Sequence, residues 1–249
     1  MFSWYARSYR RAWPATITTG LLNPIFFLFS IGILLGGLVD EGNPNLGGLT
    51  YLEYVAPGLL AALAMQIGAN EGSFPVLAGL RWVRTFHVVV ATPVRVFELI
   101  GGLLVWASAR TFVAASLFAI VAGIAGAFSS PLAILTPFAA VLCGLAFAAP
   151  MAALSARVET AYTLMAVLRF AILPIFLFSG TFFPISSLPT PLEVIAHLTP
   201  LWHGVTLCRD LTLGDIQPWS DLLHLGYLLG FAAVGLALAR MTYRRRLVV

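Results

Sequence analysis

Six apolar runs constrain this chain more than any other feature: Thr19–Val39, Tyr54–Asn70, Leu99–Gly126, Leu132–Ala153, Tyr162–Gly180 and Leu222–Ala239. Each is close to the ~20 residues a helix needs to cross a bilayer core. In lipid every backbone N–H and C=O must be satisfied within the protein, which leaves helices and closed barrels. Barrel strands alternate apolar and polar residues over about ten positions, whereas these runs are continuously apolar. The predicted fold class is therefore an all-α integral membrane protein with six transmembrane helices. Hydrophobic residues make up 60% of the 249 and charged residues 10%, against about 25% charged in soluble domains, which excludes a soluble globule.

The placement of charge sets the orientation. With the N-terminus inside, the inward segments carry Arg7, Arg10, Arg11, Arg81, Arg84, Arg95, Arg157, Arg240, Arg244, Arg245 and Arg246. The outward segments carry only Arg209, beside Asp40, Glu41, Glu53, Glu193, Asp210, Asp215 and Asp221. Positively charged loops stay in the cytoplasm, so both termini are expected there. Met1–Pro14 interleaves Phe2, Trp4, Tyr5, Tyr9 and Trp13 with Arg7, Arg10 and Arg11, the pattern of an N-terminal interfacial amphipathic helix. The apolar run that follows is too long for the core of a cleaved signal peptide. Asn23-Pro24 is expected to kink the first span.

Two loops are more than connectors. The inward segment 71–98 contains Leu80-Arg81-Trp82-Val83-Arg84-Thr85-Phe86-His87 and ends a helical stretch at Pro93. Arginines among aromatics suit a short helix parallel to the membrane. Composition leaves two readings open, a docking surface for a cytosolic partner or a basic loop on lipid headgroups. The outward segment 181–221 is punctuated by Pro184, Pro189, Pro191 and Pro200. Val194, Leu198, Leu201, Trp202 and Val205 then recur near helical spacing. So apolar a loop should not stand in water, which predicts an outer re-entrant helical hairpin between spans five and six.

Much familiar chemistry is missing. All 14 basic residues are Arg, so no Walker A lysine exists to hold a nucleotide phosphate. There is no HExxH or GxSxG motif, and no His accompanies Ser179-Gly180 at matching depth. The four His (His87, His197, His203, His224) fall in loops or near an outer edge, without a metal set. Cys143 is expected mid-membrane and Cys208 outside, so they should not pair. No carboxylate lies inside the predicted spans, which argues against ion coupling. Arg110 in span three and Arg169 in span five sit near mid-depth, where a charge costs ~2.5–3.5 kcal/mol on insertion scales. Both are substrate-pathway candidates; structural hydrogen bonding is the alternative.

The ordered motifs resemble a known family. An amphipathic N-terminal segment precedes span one, and Tyr54-Val55-Ala56-Pro57-Gly58-Leu59-Leu60 opens span two. Ala91-Thr92-Pro93-Val94-Arg95-Val96-Phe97-Glu98 leads into span three, and Phe178-Ser179-Gly180-Thr181-Phe182-Phe183-Pro184 closes span five. Pro200-Leu201-Trp202-His203 precedes span six. Together they resemble the membrane permease of type 2 ATP-binding-cassette (ABC) exporters, in the branch of nodulation-factor and daunorubicin-type drug exporters. The resemblance implies one transmembrane domain over 1–249, in a bacterial cytoplasmic (inner) membrane. It implies an ATP-driven exporter of an amphipathic drug, lipid or glycolipid, built with a second permease chain and two ABC ATPase subunits. ATP and Mg would bind the ATPase and no cofactor this chain; membrane lipid is a partner and nucleic acid is not. It turns the 71–98 segment into a coupling loop, with Arg81, Trp82, Arg84, Phe86 and His87 as contacts and Arg157 as a minor second one. An uncoupled secondary carrier or channel is the alternative.

Overall fold

The computed structural model describes residues 26, 28–30 and 48–247. The expected interfacial helix at 1–14, the kink at Asn23-Pro24 and nearly all of span one lie outside the described residues. Among those described, the regular elements are helical, and five runs are long and apolar enough to cross a membrane: Tyr51–Trp82, Val96–Ile124, Pro131–Arg157, Ala161–Phe178 and Pro218–Leu247. These correspond to predicted spans two to six.

Helix α1 (Tyr51–Glu71) opens with a capping box: the Thr50 hydroxyl accepts from Glu53 N (3.3 Å) and the Glu53 carboxylate from Thr50 N (2.9 Å). This satisfies two of the donors a helix start leaves free. The apolar run continues past its predicted end at Asn70. The Ser155 hydroxyl donates to the Gly72 carbonyl (2.8 Å), and Ser73 donates to Ala69. With these bonds made, the break at Gly72-Ser73 needs no water. The chain re-enters helix as α2 (Phe74–Leu77), with Pro75 in its first turn, and runs into a π turn at Ala78–Trp82. Helix α3 (Thr85–Val90) is the short helix expected before Pro93.

Helix α4 (Val96–Ile124) is capped by Glu98, which accepts from Arg95 N (3.1 Å). A 3₁₀ turn at Pro131–Leu135 leads into α5 (Thr136–Arg157). Span five is α6 (Ala161–Val167), a π turn at Leu168–Ile172 and α7 (Leu173–Phe178). Segment 181–221 holds two helices, α8 (Thr190–His197) and α9 (Pro200–Leu213), each with Pro in its first turn. Span six, predicted over Leu222–Ala239, extends at both ends as α10 (Pro218–Leu247). Asp221 in its first turn and Arg244, Arg245 and Arg246 in its last complement the helix dipole, so the helix outlasts its apolar stretch.

Helix α5 is the hub, packed against α1, α4, α9 and α10, and α1 packs in turn against α4 and α9. Small residues bring the backbones together: a Cβ on Gly68 would lie 2.1 Å from the Gly144 carbonyl oxygen of α5. In lipid, where apolar burial drives helices together only weakly, such close approach supplies the packing energy. Helix α9 lies inside this packing, with Leu201, Val205 and Cys208 buried. Cys208 is buried in this packing, as is Cys143, and both thiols are free.

Arg209 fastens α9 to the start of α1 and the close of span five. Its Nη2 donates to the carbonyls of Tyr54 (3.2 Å) and Gly180 (2.9 Å), and the guanidinium lies 4.0 Å over the Tyr54 ring. Nearby, His203 and His224 share a 2.6 Å Nδ1···Nδ1 hydrogen bond between α9 and α10, with Trp202 packed on both rings.

Two predictions follow from this packing. Gly68→Ala forces α1 off α5 and should lower the melting temperature of the purified chain by several degrees; Gly101→Ala, with nothing within 4 Å, should leave it unchanged or raise it. Equal shifts would show that the α1–α5 approach is not tight.

Asp210 generates the other prediction. Burial, followed by a hydrogen bond and like charge from Asp221, pushes its carboxyl up from 3.8 to about 7. The folded chain then holds an extra proton between those values, so this contribution is full below the lower one and is lost as pH rises through about 7. His203, lowered to about 4 by burial and His224, has the opposite slope between about 4 and 6.5, so the comparison is made against a variant at equal pH. Between about pH 5 and 8, wild type should lose more thermal stability than Asp210→Asn; parallel curves would remove Asp210 from this account.

Candidate docking knuckle and transport groove

The segment leaving span two forms a knuckle. The π turn at Ala78–Trp82 delivers Trp82 to the surface with 59% exposure, and Arg84 and His87 are also exposed. Arg84 has φ 55°, an uncommon left-handed conformation for a residue with a Cβ, of the kind that persists where the surroundings hold it. Arg81 pairs with Glu159 of the α5–α6 turn at 3.3 Å, fixing the knuckle to the loop beyond Arg157.

Phe86 departs from its expected place among these contacts. It is 1% exposed and packs inward, 6.0 Å from the Tyr243 ring of α10. A Cβ on Gly79 would lie 2.6 Å from its ring, so the glycine makes room for it. Arg84's left-handed turn reverses the chain, which aims the first turn of α3 at the cluster of Leu80, Leu99, Ile100 and Leu103. Phe86 therefore anchors the knuckle to its own protein instead of offering a ring to a partner.

A cavity of about 320 Å³ lies between α1 and span five, lined by Met65, Gln66, Ala69, Asn70, Leu168, Ile172, Leu173 and Phe176. Gln66 and Asn70 are its polar groups; the Asn70 amide donates to the Gln66 carbonyl (2.8 Å). Its far wall is the π turn of span five, an insertion that swings side chains off the regular helical face. Arg169 sits in that turn, exposed, with no carboxylate in ion-pair reach among the described residues.

Arg110 is a different case. Its guanidinium is paired with the buried Glu71 carboxylate, which also accepts a side-chain hydrogen bond from Trp106. The expectation that no carboxylate in a span meets Arg110 is therefore corrected. Ending span two at Asn70 assigned Glu71 to water, whereas the helical run carries it inside. Glu71 is therefore a carboxylate within the extended helical run, held by the Arg110 guanidinium. Glu71 and Arg209 are the two residues whose importance the sequence reading missed. The available signal was reciprocal and incomplete: a mid-span Arg demands an acid, and Glu71 was one of several acids directly flanking a predicted span.

Breaking one side of a buried pair strands the other charge and costs about 3–5 kcal/mol, whereas replacing both sides with apolar residues is often neutral. Glu71→Met or Arg110→Met alone should reduce the monodisperse yield and the melting temperature; the double variant should recover most of both. Single variants that behave as wild type would show that the pair carries no structural weight.

Comparison with known proteins agrees with this architecture. The family profile described as "ABC-2 type transporter" matches residues 2–213. Nodulation protein J of Neorhizobium galegae is 29% identical over 242 residues, covering 96% of this chain and 90% of that protein. Nodulation protein J of Rhizobium meliloti (strain 1021) is 28% identical over 236 residues, covering 94% and 87%. Nodulation protein J of Rhizobium leguminosarum bv. viciae is 28% identical over 243 residues, covering 97% and 91%. These matches run through the knuckle, the groove, the ion pair and the outer helices alike, and the chain belongs to the ABC-2 type transporter family, as one of its membrane-spanning permeases.

Proposed function

We propose that the chain is the permease half of an ATP-driven exporter that moves an amphipathic molecule outward across a bacterial inner membrane. The observation that carries this reading is the knuckle: an exposed Trp82 flanked by Arg81, Arg84 and His87, on a turn whose own aromatic, Phe86, is buried beneath it. An aromatic anchor with an arginine rim is the composition of a binding hot spot. Two ATPase subunits, each carrying its own ATP and Mg, would dock there, one on each of two permease chains. Both termini and the knuckle face the cytoplasm in this reading, and α8–α9 form a hairpin dipping in from outside. The packing of α9 against α1 and α5 supports that placement.

The groove beside Gln66 and Asn70 is the half-pathway, and a second permease chain would close it. Span five supports this, since 6% of its apolar window is buried, leaving a face for a partner. Its apolar lining with a few amides suits an amphipathic substrate. Arg169 is the residue proposed to meet an anionic group, because a guanidinium binds phosphate or carboxylate through two parallel hydrogen bonds. Arg110, held by Glu71, acts by shaping the wall.

Trp82→Ala with Arg84→Gln should cut substrate-stimulated ATPase activity of the assembled complex at least about tenfold, the loss expected from removing one hot spot, with normal permease yield. Phe86→Ala should instead lower the melting temperature of the isolated permease. Full activity in the Trp82/Arg84 variant would place the docking site elsewhere.

A further inference from the structure

Where α5 and α10 end, a cavity of about 370 Å³ is lined by Arg157, Met241, Thr242, Arg245 and Arg246. Arg246 donates through Nη2 to the Arg157 carbonyl (3.0 Å), tying the two helix ends together. None of the three arginines meets a carboxylate at ion-pair distance among the described residues. Helix C-termini favour cations, which explains some basic residues here but not a cavity between them.

The surface leading to this cavity supplies the second observation. Phe231, Val234, Leu238 and Met241 are exposed along α10, and Arg245 follows four residues on. Steps of three and four place all five on one helical face. The result is an apolar track that ends at two guanidinium groups. A soluble anion has no use for the track, and neither does an acidic protein loop. A molecule with a chain on one side of a phosphate matches both parts.

We infer that this cavity binds an anionic phospholipid of the adjoining leaflet. Arg157 and Arg245 take the headgroup phosphate, and an acyl chain lies along Phe231–Met241. Paired guanidinium groups suit phosphate oxygens, and basic pockets between membrane helices select anionic headgroups. Arg246 positions Arg157 through its carbonyl. Bound there, the lipid clamps the end of α5 to the end of α10. The inference rests on α10 spanning the membrane and is independent of what the permease transports.

The test uses the purified full chain in detergent, titrated with phosphatidylglycerol or phosphatidylcholine of identical acyl chains and read by native mass spectrometry. Phosphatidylglycerol adducts should exceed phosphatidylcholine adducts by about fivefold. Arg157→Gln/Arg245→Gln should abolish that preference. Arg240→Gln/Arg244→Gln, which removes the same charge elsewhere on α10, should retain it. Leu238→Asn should weaken adducts of both lipids. Equal loss in the two double variants would reduce the site to diffuse charge and overturn the inference. Competition on the wild-type chain needs no variant to fold: inorganic phosphate or a polyglutamate peptide that displaces phosphatidylglycerol at equal concentration would show a site for a soluble anion or an acidic protein segment, and the lipid assignment would fall.

Discussion

The end of the molecule where α1 begins and span five closes depends on the Arg209 guanidinium. A single Nη2 bonds the carbonyls of Tyr54 and Gly180 while the plane of the group rests on the Tyr54 ring. Three stretches distant in sequence meet at that point: the start of α1, the turn that closes span five, and α9. The first two bring carbonyls and an aromatic face that water would otherwise solvate, α9 brings the guanidinium, and a charged donor satisfies such groups better than a neutral one. The Phe178–Pro184 stretch that carried the family resemblance is thereby given a mechanical role. Its Gly180, at φ 77°, turns the chain so that its carbonyl faces the arginine, and the Tyr54 hydroxyl also donates to that carbonyl (3.3 Å). With this end fixed, α9 can pack against α1 and α5 as an interior element.

Below that fastening, cohesion comes from proximity of backbones. Helix α5 is rich in Ala, and where its one glycine meets α1 the Gly68–Gly144 contact leaves no room for a methyl group. Lipid chains are as apolar as leucine, so helices gain from fit and from internal hydrogen bonds more than from escaping the solvent. The Ser155 bond to Gly72 and the Glu71–Arg110 pair belong to that second kind. They lie within one turn of each other on α1, where the helix breaks and its backbone groups would be exposed to hydrocarbon. The break thus collects the polar side chains that make it tolerable.

Much of this was legible in the sequence, for reasons that also explain what was not. Continuous apolar runs fix spans two to six because twenty residues of hydropathy is a strong signal. The prolines at 191 and 200 marked both outer helices, since Pro suits a helix's first turn. Helix ends were harder. Span two extends to Trp82 and span six to Leu247, because serine hydroxyls and dipole-compensating charges extend helices where hydropathy has faded. Those same ends hold the residues that were misplaced. Glu71 was assigned to water by a boundary one residue too early. Phe86 was named a partner contact from the family resemblance, and a six-residue helix has too little periodicity to show its buried side. Arg209 was counted only as a charge outside, since a sequence does not reveal which carbonyls fold toward it.

The buried Phe86 ring gives the knuckle an unusual stiffness. It is wedged between Gly79 and Tyr243 with no free volume on the glycine side. Close-packed interiors compress little and transmit displacement. A load applied at Trp82 cannot be absorbed by tilting α3 alone; the ring passes it to Tyr243 and so to α10, while the Arg81–Glu159 tie passes it to the end of α5. The knuckle is thus joined to two bilayer-length helices, firmly to α10 through the Phe86 ring and loosely to the end of α5 through a solvent-exposed ion pair.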